Sequence, residues 1–291
     1  LRSRSFAHVM PLIAPVHILI LSMIVIPSIF VIWLSVTKSS FGLAPTYVGL
    51  ENYIRVLSDP AFLRALRNTV VIVVFAVHAE LGIGLLVALL FANGLPFRRV
   101  LLVAVLAPYA VSEVIAVVMW RFLFDPDAGP VTLALQAVGL PILDWSFEPS
   151  HAMILIALLT IWLHLPFTFI ILYAARLVIP GDLYEAARID GATNFQVFRR
   201  VTLPLLGPAI VVALVFRYIF AFRIFSEVWL LTNGGPARTT EVVAIYLYQE
   251  AFSYNAFGTA AATAWIMVVA SLLLAAGYVF LLRRQVGAHA H

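Results

Sequence analysis

Apolar residues along this chain fall into long runs, with neither the alternation of a half-buried strand nor the narrow stripe of a surface helix. Six stretches stand out: Pro11–Val36, Asn68–Ala92, Val100–Trp120, Ala152–Ala175, Pro208–Leu231 and Phe257–Leu282. A bilayer core of roughly 30 Å needs about 20 helical residues at about 1.5 Å each, and every stretch reaches that length. Backbone groups in lipid must be satisfied within the segment, so the stretches predict helices, and the alternation of a membrane barrel is absent. The predicted fold class is an all-α integral membrane protein with six transmembrane helices.

Composition supports this reading. Of 291 residues 63% are hydrophobic and 11% charged, where a soluble domain carries roughly a quarter charged residues. The first apolar run, 26 residues without an A-x-A site after it, is too long for the core of a cleavable signal peptide. The chain has no cysteine, which excludes a disulfide framework, a thiolate metal site and a cysteine nucleophile. Charge then orients the spans. With the N-terminus inside, the inner segments carry ten basic residues (Arg2, Arg4, Arg98, Arg99, Arg176, Arg188, Arg199, Arg200, Arg283 and Arg284) against Asp182, Glu185 and Asp190. The outer loops, 37–67, 121–151 and 232–256, carry six basic and eight acidic residues. That bias places both termini in the cytoplasm.

The inner segment 176–207 holds the densest charge. Pro180-Gly181 interrupts the chain, and Asp182 is positioned to cap a helix over Leu183–Asp190. Gly191 suits a left-handed stop, and Thr193 with Gln196 three residues later forms a capping box for a second helix, which Leu203-Pro204 is expected to close. Two helical turns are marginal in water, so an outside surface must hold the first helix. Ala186, Ala187 and Ala192 leave one side small, while Glu185, Arg188 and Asp190 offer charge, which suits a plug for a protein cleft. The alternative is a helix lying on the headgroups, a description that FQVFRRV fits better than LYEAARID.

Glu185-Ala186-Ala187, then Gly191, then Val201-x-Leu203-Pro204 after nine more residues, resembles the EAA signature of permease subunits from binding-protein-dependent ABC importers, with Val201 in place of isoleucine. EAARIDGA is similar to the form usual in carbohydrate importers, and TNGGP (232–236) followed by YLYQEAF (246–252) resembles the maltose-type first permease. Pro130 departs from that family, which commonly has asparagine there. The resemblance implies an importer transmembrane domain over 68–284, of the type I fold in spans two to six, with the EAA loop at 176–207. It leaves 1–67 as tail, first helix and outer loop, and 285–291 as a tail. It implies that Glu185, Ala186, Ala187, Arg188, Asp190, Gly191 and Ala192 form a coupling helix seated on a cytoplasmic ATPase. The implied partners are a second homologous permease, two ABC ATPase chains, an extracytoplasmic solute-binding protein, a sugar and membrane lipid, with no nucleic acid. The place is a bacterial inner membrane. ATP and Mg would be bound by the ATPase chains, with no cofactor in this one. The residues agree, for there is no G-x-x-x-x-G-K-[ST], no H-E-x-x-H and no nucleophile elbow. The histidines are scattered apart from His289 and His291, so no catalytic or metal residue is predicted and the chain reads as a non-catalytic transporter subunit.

Charge within the spans is confined to Glu80, Glu113, Arg217, Arg223 and Glu227. Each costs roughly 2.5–3.5 kcal/mol at mid-bilayer on insertion scales and needs a partner or a wet cavity. In the fifth span Phe216, Phe220, Arg223 and Glu227 fall on one helical stripe with Arg217 on its flank, and Thr160, His164 and Phe167 make a matching stripe on the fourth. Aromatic faces beside hydrogen-bonding charges suit a sugar. The resemblance implies sugar contacts at positions matching Thr160, Leu163, His164, Phe167, Arg217 and Phe220, and the stripe adds Arg223 and Glu227. Arg223–Glu227 reads equally as a self-neutralising pair, whereas Arg217 has no acid at helical spacing and is the stronger ligand candidate. Arg217 and Arg223 together keep open an acidic sugar or glycerol-phosphate-type substrate, since guanidinium forks match carboxylate and phosphate. A proton-coupled secondary transporter using Glu80, Glu113 and Glu227 is the competing class, but the two related halves usual there are missing.

Overall fold

The computed structural model describes residues 3–287, with side chains placed for 13–280. Arg2, Arg4, Arg283, Arg284, His289 and His291 therefore lie outside the described side chains. In chain order the elements are α1 (Ser3–Ser35), β1 (Thr37–Lys38), β2 (Thr46–Tyr47), α2 (Glu51–Ser58), α3 (Pro60–Ala92), α4 (Arg98–Ala110) and α5 (Glu113–Leu123). There follow α6 (Pro130–Ala137), α7 (Pro149–Val178), α8 (Asp182–Ile189), α9 (Asn194–Val197), α10 (Leu203–Ala221), α11 (Ser226–Thr232), α12 (Val243–Tyr248) and α13 (Phe257–Gly287). Single π-turns, Phe198–Thr202 and Gln249–Ser253, join α9 to α10 and follow α12.

Among the described residues five helices are long and apolar enough to cross a membrane, and α4 with α5 makes a sixth if that pair, bent by 105°, counts as one span. The fold class is as expected, but two expected spans are not straight. The third breaks at Val111-Ser112, where both residues are extended, just after Pro108. The fifth does not run from Pro208 to Leu231. It is helical from Asn194 to Ala221, stops, and resumes as the separate α11. Nor do Leu203 and Pro204 close a helix. Pro204 has no N–H to give, and the helix widens into the π-turn just before it, with Leu203 N–H donating to Phe198 O, then continues as α10. α3 begins at Pro60, eight residues ahead of the expected span.

The chain forms two compact units. One comprises residues up to Phe62 together with Leu247–Ile266, the other Leu63–Tyr246 with the chain from Met267. In the first, the β1–β2 hairpin pairs Thr37 with Tyr47 and Lys38 with Thr46. Buried Asn52 of α2 ties it down, its Nδ2 donating to Ser35 O and Thr37 O at 2.9 Å each. Gly258 of α13 sits against the same turn, where an added Cβ would lie 2.1 Å from Thr37 O and 2.8 Å from Asn52 Nδ2.

The second unit is organised around α7, which packs against α4, α5, α10 and α11. Two apolar clusters surround it. One joins Leu155, Ile156, Leu159 and Leu163 of α7 to Ala116 and Val117 of α5 and to Val228 and Leu231 of α11. The other joins Phe169 and Leu172 of α7 to Leu206, Ile210, Leu214 and Tyr218 of α10 and to Val73, Val77 and Phe91 of α3. Asn68 holds the 232–242 loop to α3, its Nδ2 donating to Thr239 O (2.8 Å) and Glu241 O (2.9 Å).

Gly258→Ala should therefore force the turn between α1 and β1 off α13 and cost about 2–4 kcal/mol. Thermal unfolding of the purified chain in detergent checks this; an unchanged midpoint would show that the turn yields freely.

Candidate functional site

Two sites emerge, one inside the spans and one on the 176–207 loop. The first is a cavity of about 450 Å³ in the second unit. Its wall is built from α7 (Thr160, His164, Phe167), the end of α10 (Arg217, Phe220, Ala221), the α10–α11 break (Arg223, Ile224, Phe225), the start of α11 (Ser226, Glu227) and the bend between α4 and α5 (Tyr109, Glu113). Both breaks in the expected spans open here. This follows from backbone chemistry: non-helical peptide groups in lipid are tolerated only where they are buried in protein or face a wet cavity.

The charged groups are paired differently from the helical-spacing expectation. Arg217 makes a fork with Glu80 of α3, Nε to Oε2 at 2.6 Å and Nη2 to Oε1 at 2.8 Å. The Glu80 side chain is 0% exposed and that of Arg217 4%. Arg217 is thus no uncommitted ligand: its charge is matched by Glu80 while the residue still lines the cavity. Glu227 does not pair with Arg223. Its Oε1 lies 3.3 Å from His164 Nε2, so the α7 and α11 walls are bonded to each other. Arg223 lies in the short break, exposed, with no ion pair among the described residues, and so does Glu113 at the other bend.

Aromatic rings complete the cavity. Phe167 meets Phe216 and Phe220 edge-on at 6.4 and 6.5 Å, and Phe216 stacks on Phe220 at 6.1 Å. Of the expected substrate positions, Thr160, His164, Phe167, Arg217, Phe220, Arg223 and Glu227 converge on the cavity. Leu163 does not. It is 3% exposed within the apolar cluster, because one residue before His164 on a helix points about 100° away. The single-stripe geometry also fails, since the helix stops at Ala221, yet the turn it makes brings Arg223 and Glu227 to the same space. Tyr109, Glu113, Ala221, Ile224, Phe225 and Ser226 were not in the expected set. Glu113 carried a signal, as a carboxylate in an apolar run; the others carried none.

The second site is the loop helix. α8 begins at Asp182 itself with Gly181 at its N-cap, so Asp182 occupies the first turn instead of capping it, where its charge still favours the helix dipole. Gly191 adopts φ +74°, and the chain closes as expected: Gly191 N–H donates to Arg188 O (3.0 Å) and Ala192 N–H to Ala187 O (2.9 Å). The capping box is complete, with Gln196 N–H donating to Thr193 Oγ1 (3.3 Å) and Thr193 N–H to Gln196 Oε1 (2.7 Å). No residue of α8 is buried. Glu185, Ala186, Arg188 and Asp190 are exposed and Ala187 and Ala192 half-buried. Ile189, 86% exposed, and Leu183 add an apolar edge that the sequence reading did not weigh.

The chain belongs to the family of binding-protein-dependent transport system inner membrane components, whose profile matches residues 80–287 and so spans both sites. It is a permease subunit of a binding-protein-dependent importer. It is 35% identical over 280 residues to the sulfoquinovosyl glycerol transport system permease protein of Agrobacterium fabrum, covering 94% of this chain and 90% of that one. It is likewise 35% identical over 248 residues to the trehalose/maltose transport system permease protein of Thermococcus litoralis, covering 85% and 83%. The fold matches a chain of a bacterial alginate ABC transporter solved with an alginate pentasaccharide-bound periplasmic protein, with a TM-score of 0.84 at 24% identity over 97% of this chain and 96% of that one.

Breaking the buried pair from one side should be far costlier than removing it. Arg217→Ala leaves the Glu80 carboxylate buried and alone, at about 3–5 kcal/mol, whereas the double change Glu80→Leu with Arg217→Met should be near neutral. Thermal inactivation of both variants in nanodiscs checks this; equal losses would deny the pair its linkage.

Proposed function

We propose that the chain forms half of the pathway of an ATP-driven carbohydrate importer, and that its cavity receives an uncharged, hydroxyl-rich sugar. The observation that carries the substrate class is the Glu80–Arg217 fork. It turns the buried Arg217 cation into a neutral pair at the cavity wall, and a guanidinium has five N–H donors, more than the two this fork uses, to give to hydroxyls. Around it the charges balance without a cationic excess: Arg217 and Arg223 stand against Glu80, Glu113 and Glu227. Phe167 and Phe220 offer faces for the C–H side of a sugar ring, and His164 with Glu227 a polar edge. The names of the two curated relatives, one for sulfoquinovosyl glycerol and one for trehalose and maltose, support a glycoside as the cargo. A second reading rests on Arg223, which is exposed and unpaired among the described residues and would receive an acidic sugar.

The power comes from partners. α8, with no fully buried residue and ended by its own hydrogen bonds, is the coupling helix, with Glu185, Arg188 and Asp190 offered to the cleft of a cytoplasmic ATPase and Ala186, Ala187 and Ala192 permitting close approach. A second permease completes the pathway, two ATPase chains bind the ATP and Mg, and an external solute-binding protein delivers the sugar. This chain itself supplies no catalytic residue. The excess of arginine on the inner segments supports cytoplasmic termini.

Two measurements test this. Glu185→Lys should leave the chain inserted but release the ATPases or uncouple them; normal co-purification with normal uptake would sink the coupling assignment. ATPase activity of the complete complex in nanodiscs with its binding protein should rise with neutral oligosaccharides. A rise confined to acidic sugars would instead make Arg223 the selecting residue.

A further inference from the structure

α8 poses a mechanical problem. Its eight residues bury none of their side chains, and its chain ends are poor levers: Pro180-Gly181 interrupts the backbone before it, and Gly191 turns it through a left-handed corner behind it. A push on such a helix would be absorbed by its hinges unless a side chain carried it inward. Tyr184, half-buried one residue before Glu185, reaches both neighbouring spans. Its ring lies under the Arg176 guanidinium, with Cζ 4.1 Å from the ring centroid. Its hydroxyl shares a hydrogen bond with Thr202 Oγ1 at 3.2 Å. Arg176 belongs to the last turns of α7, and Thr202, 3% exposed, ends the π-turn that leads into α10. These are the two helices that present His164, Phe167, Arg217 and Phe220 to the cavity.

We infer that Tyr184 is the positioning residue that carries displacement of α8 into α7 and α10 together. The inference rests on α8 being the coupling helix. The geometry is that of a bracket: the ring is pinned on one span by a cation and its tip on the other by a hydroxyl. Neither α7 nor α10 breaks between the bracket and the cavity. Arg176 and His164 lie about 18 Å apart along α7, and Thr202 and Arg217 about 22 Å apart along the α10 path. The site of purchase is local, since a π-turn is a strained stretch whose hydrogen-bond register has room to shift. Arg217 at the far end of α10 is forked to Glu80, so a movement delivered at Thr202 arrives as a change in how α10 seats on α3.

The test uses the complete complex in nanodiscs and needs no identified sugar. The chain has no cysteine of its own, so Phe220→Cys places a unique reporter of this chain in the cavity. Its labelling rate with a water-soluble maleimide is read without nucleotide and after trapping with ATP and vanadate. In the Phe220→Cys parent, trapping should change the rate about tenfold. Adding Tyr184→Ala should hold that change below about twofold while the ATPases still co-purify at the parent ratio. Tyr184→Phe, which keeps the ring on Arg176 and loses the hydroxyl, should fall between the two, and Thr202→Val should match it. Full switching in Tyr184→Ala overturns the inference, and so does loss of the ATPases from that variant, because the contact would then serve assembly. If Tyr184→Phe and Thr202→Val both switch like the parent, the hydroxyl arm is refuted. A parent that does not switch, or a Glu185→Lys variant that keeps its ATPases and switches, overturns the coupling reading itself.

Discussion

A charge carried into a bilayer must find its opposite or find water, and this constraint shapes the second unit from within. Glu80 finds its opposite in Arg217 across α3 and α10, at 0% and 4% side-chain exposure. The fork is specific in angle as well as distance, so it fixes how those two helices face each other where apolar packing alone would tolerate sliding. Glu113 and Arg223 stay exposed at the cavity. Glu227 does something between the two, buried at 4% yet bonded to His164 at the cavity wall. The cavity is thus where the remaining charged side chains of the spans gather.

The same constraint acts on the backbone. An α-helix satisfies its own peptide groups, and interrupting one in lipid exposes donors and acceptors that have nowhere else to go. The α4–α5 bend and the α10–α11 break both line the cavity, each with an ionisable side chain at hand: Glu113 at one, Arg223 at the other. Broken helices, free charges and open space therefore coincide for one reason, not three. Removing the cavity would leave both breaks without solvation, so the irregular backbone and the site stand or fall together.

Legibility in the sequence tracks range. The 176–207 loop is legible almost residue by residue, because its structure is decided within four or five positions: the capping box at Thr193 and the glycine stop at Gly191 both form as expected. Asp182 fell one place from its expected role, since the helix could begin on Gly181. The span breaks were hidden because hydropathy averages over some 20 residues and Val111-Ser112 or Phe222–Phe225 barely change that average. The Glu80–Arg217 pair, 137 residues apart, carries no local mark beyond two charges in apolar runs. That is why Arg217 read as an uncommitted ligand. The stripe fails as geometry, yet Arg223 and Glu227 still line the cavity, which they reach by a turn of the chain instead of a helical period.

The loop and the cavity are also one object mechanically. From the capped start at Asn194 the chain stays helical through 28 residues to Ala221, about 40 Å, with a single π-turn near its loop end. A straight helix would transmit any tilt of the loop rigidly, and one that broke at Pro204 would transmit none. The π-turn lies between these limits. It accommodates Pro204 without cutting the hydrogen-bonded path, and places the one adjustable segment beside the loop, far from Arg217. Adjustment at Thr202 leaves the Arg217 end of the helix, forked to Glu80, as the stiff part of the cavity wall, because compliance at Arg217 would loosen that fork first.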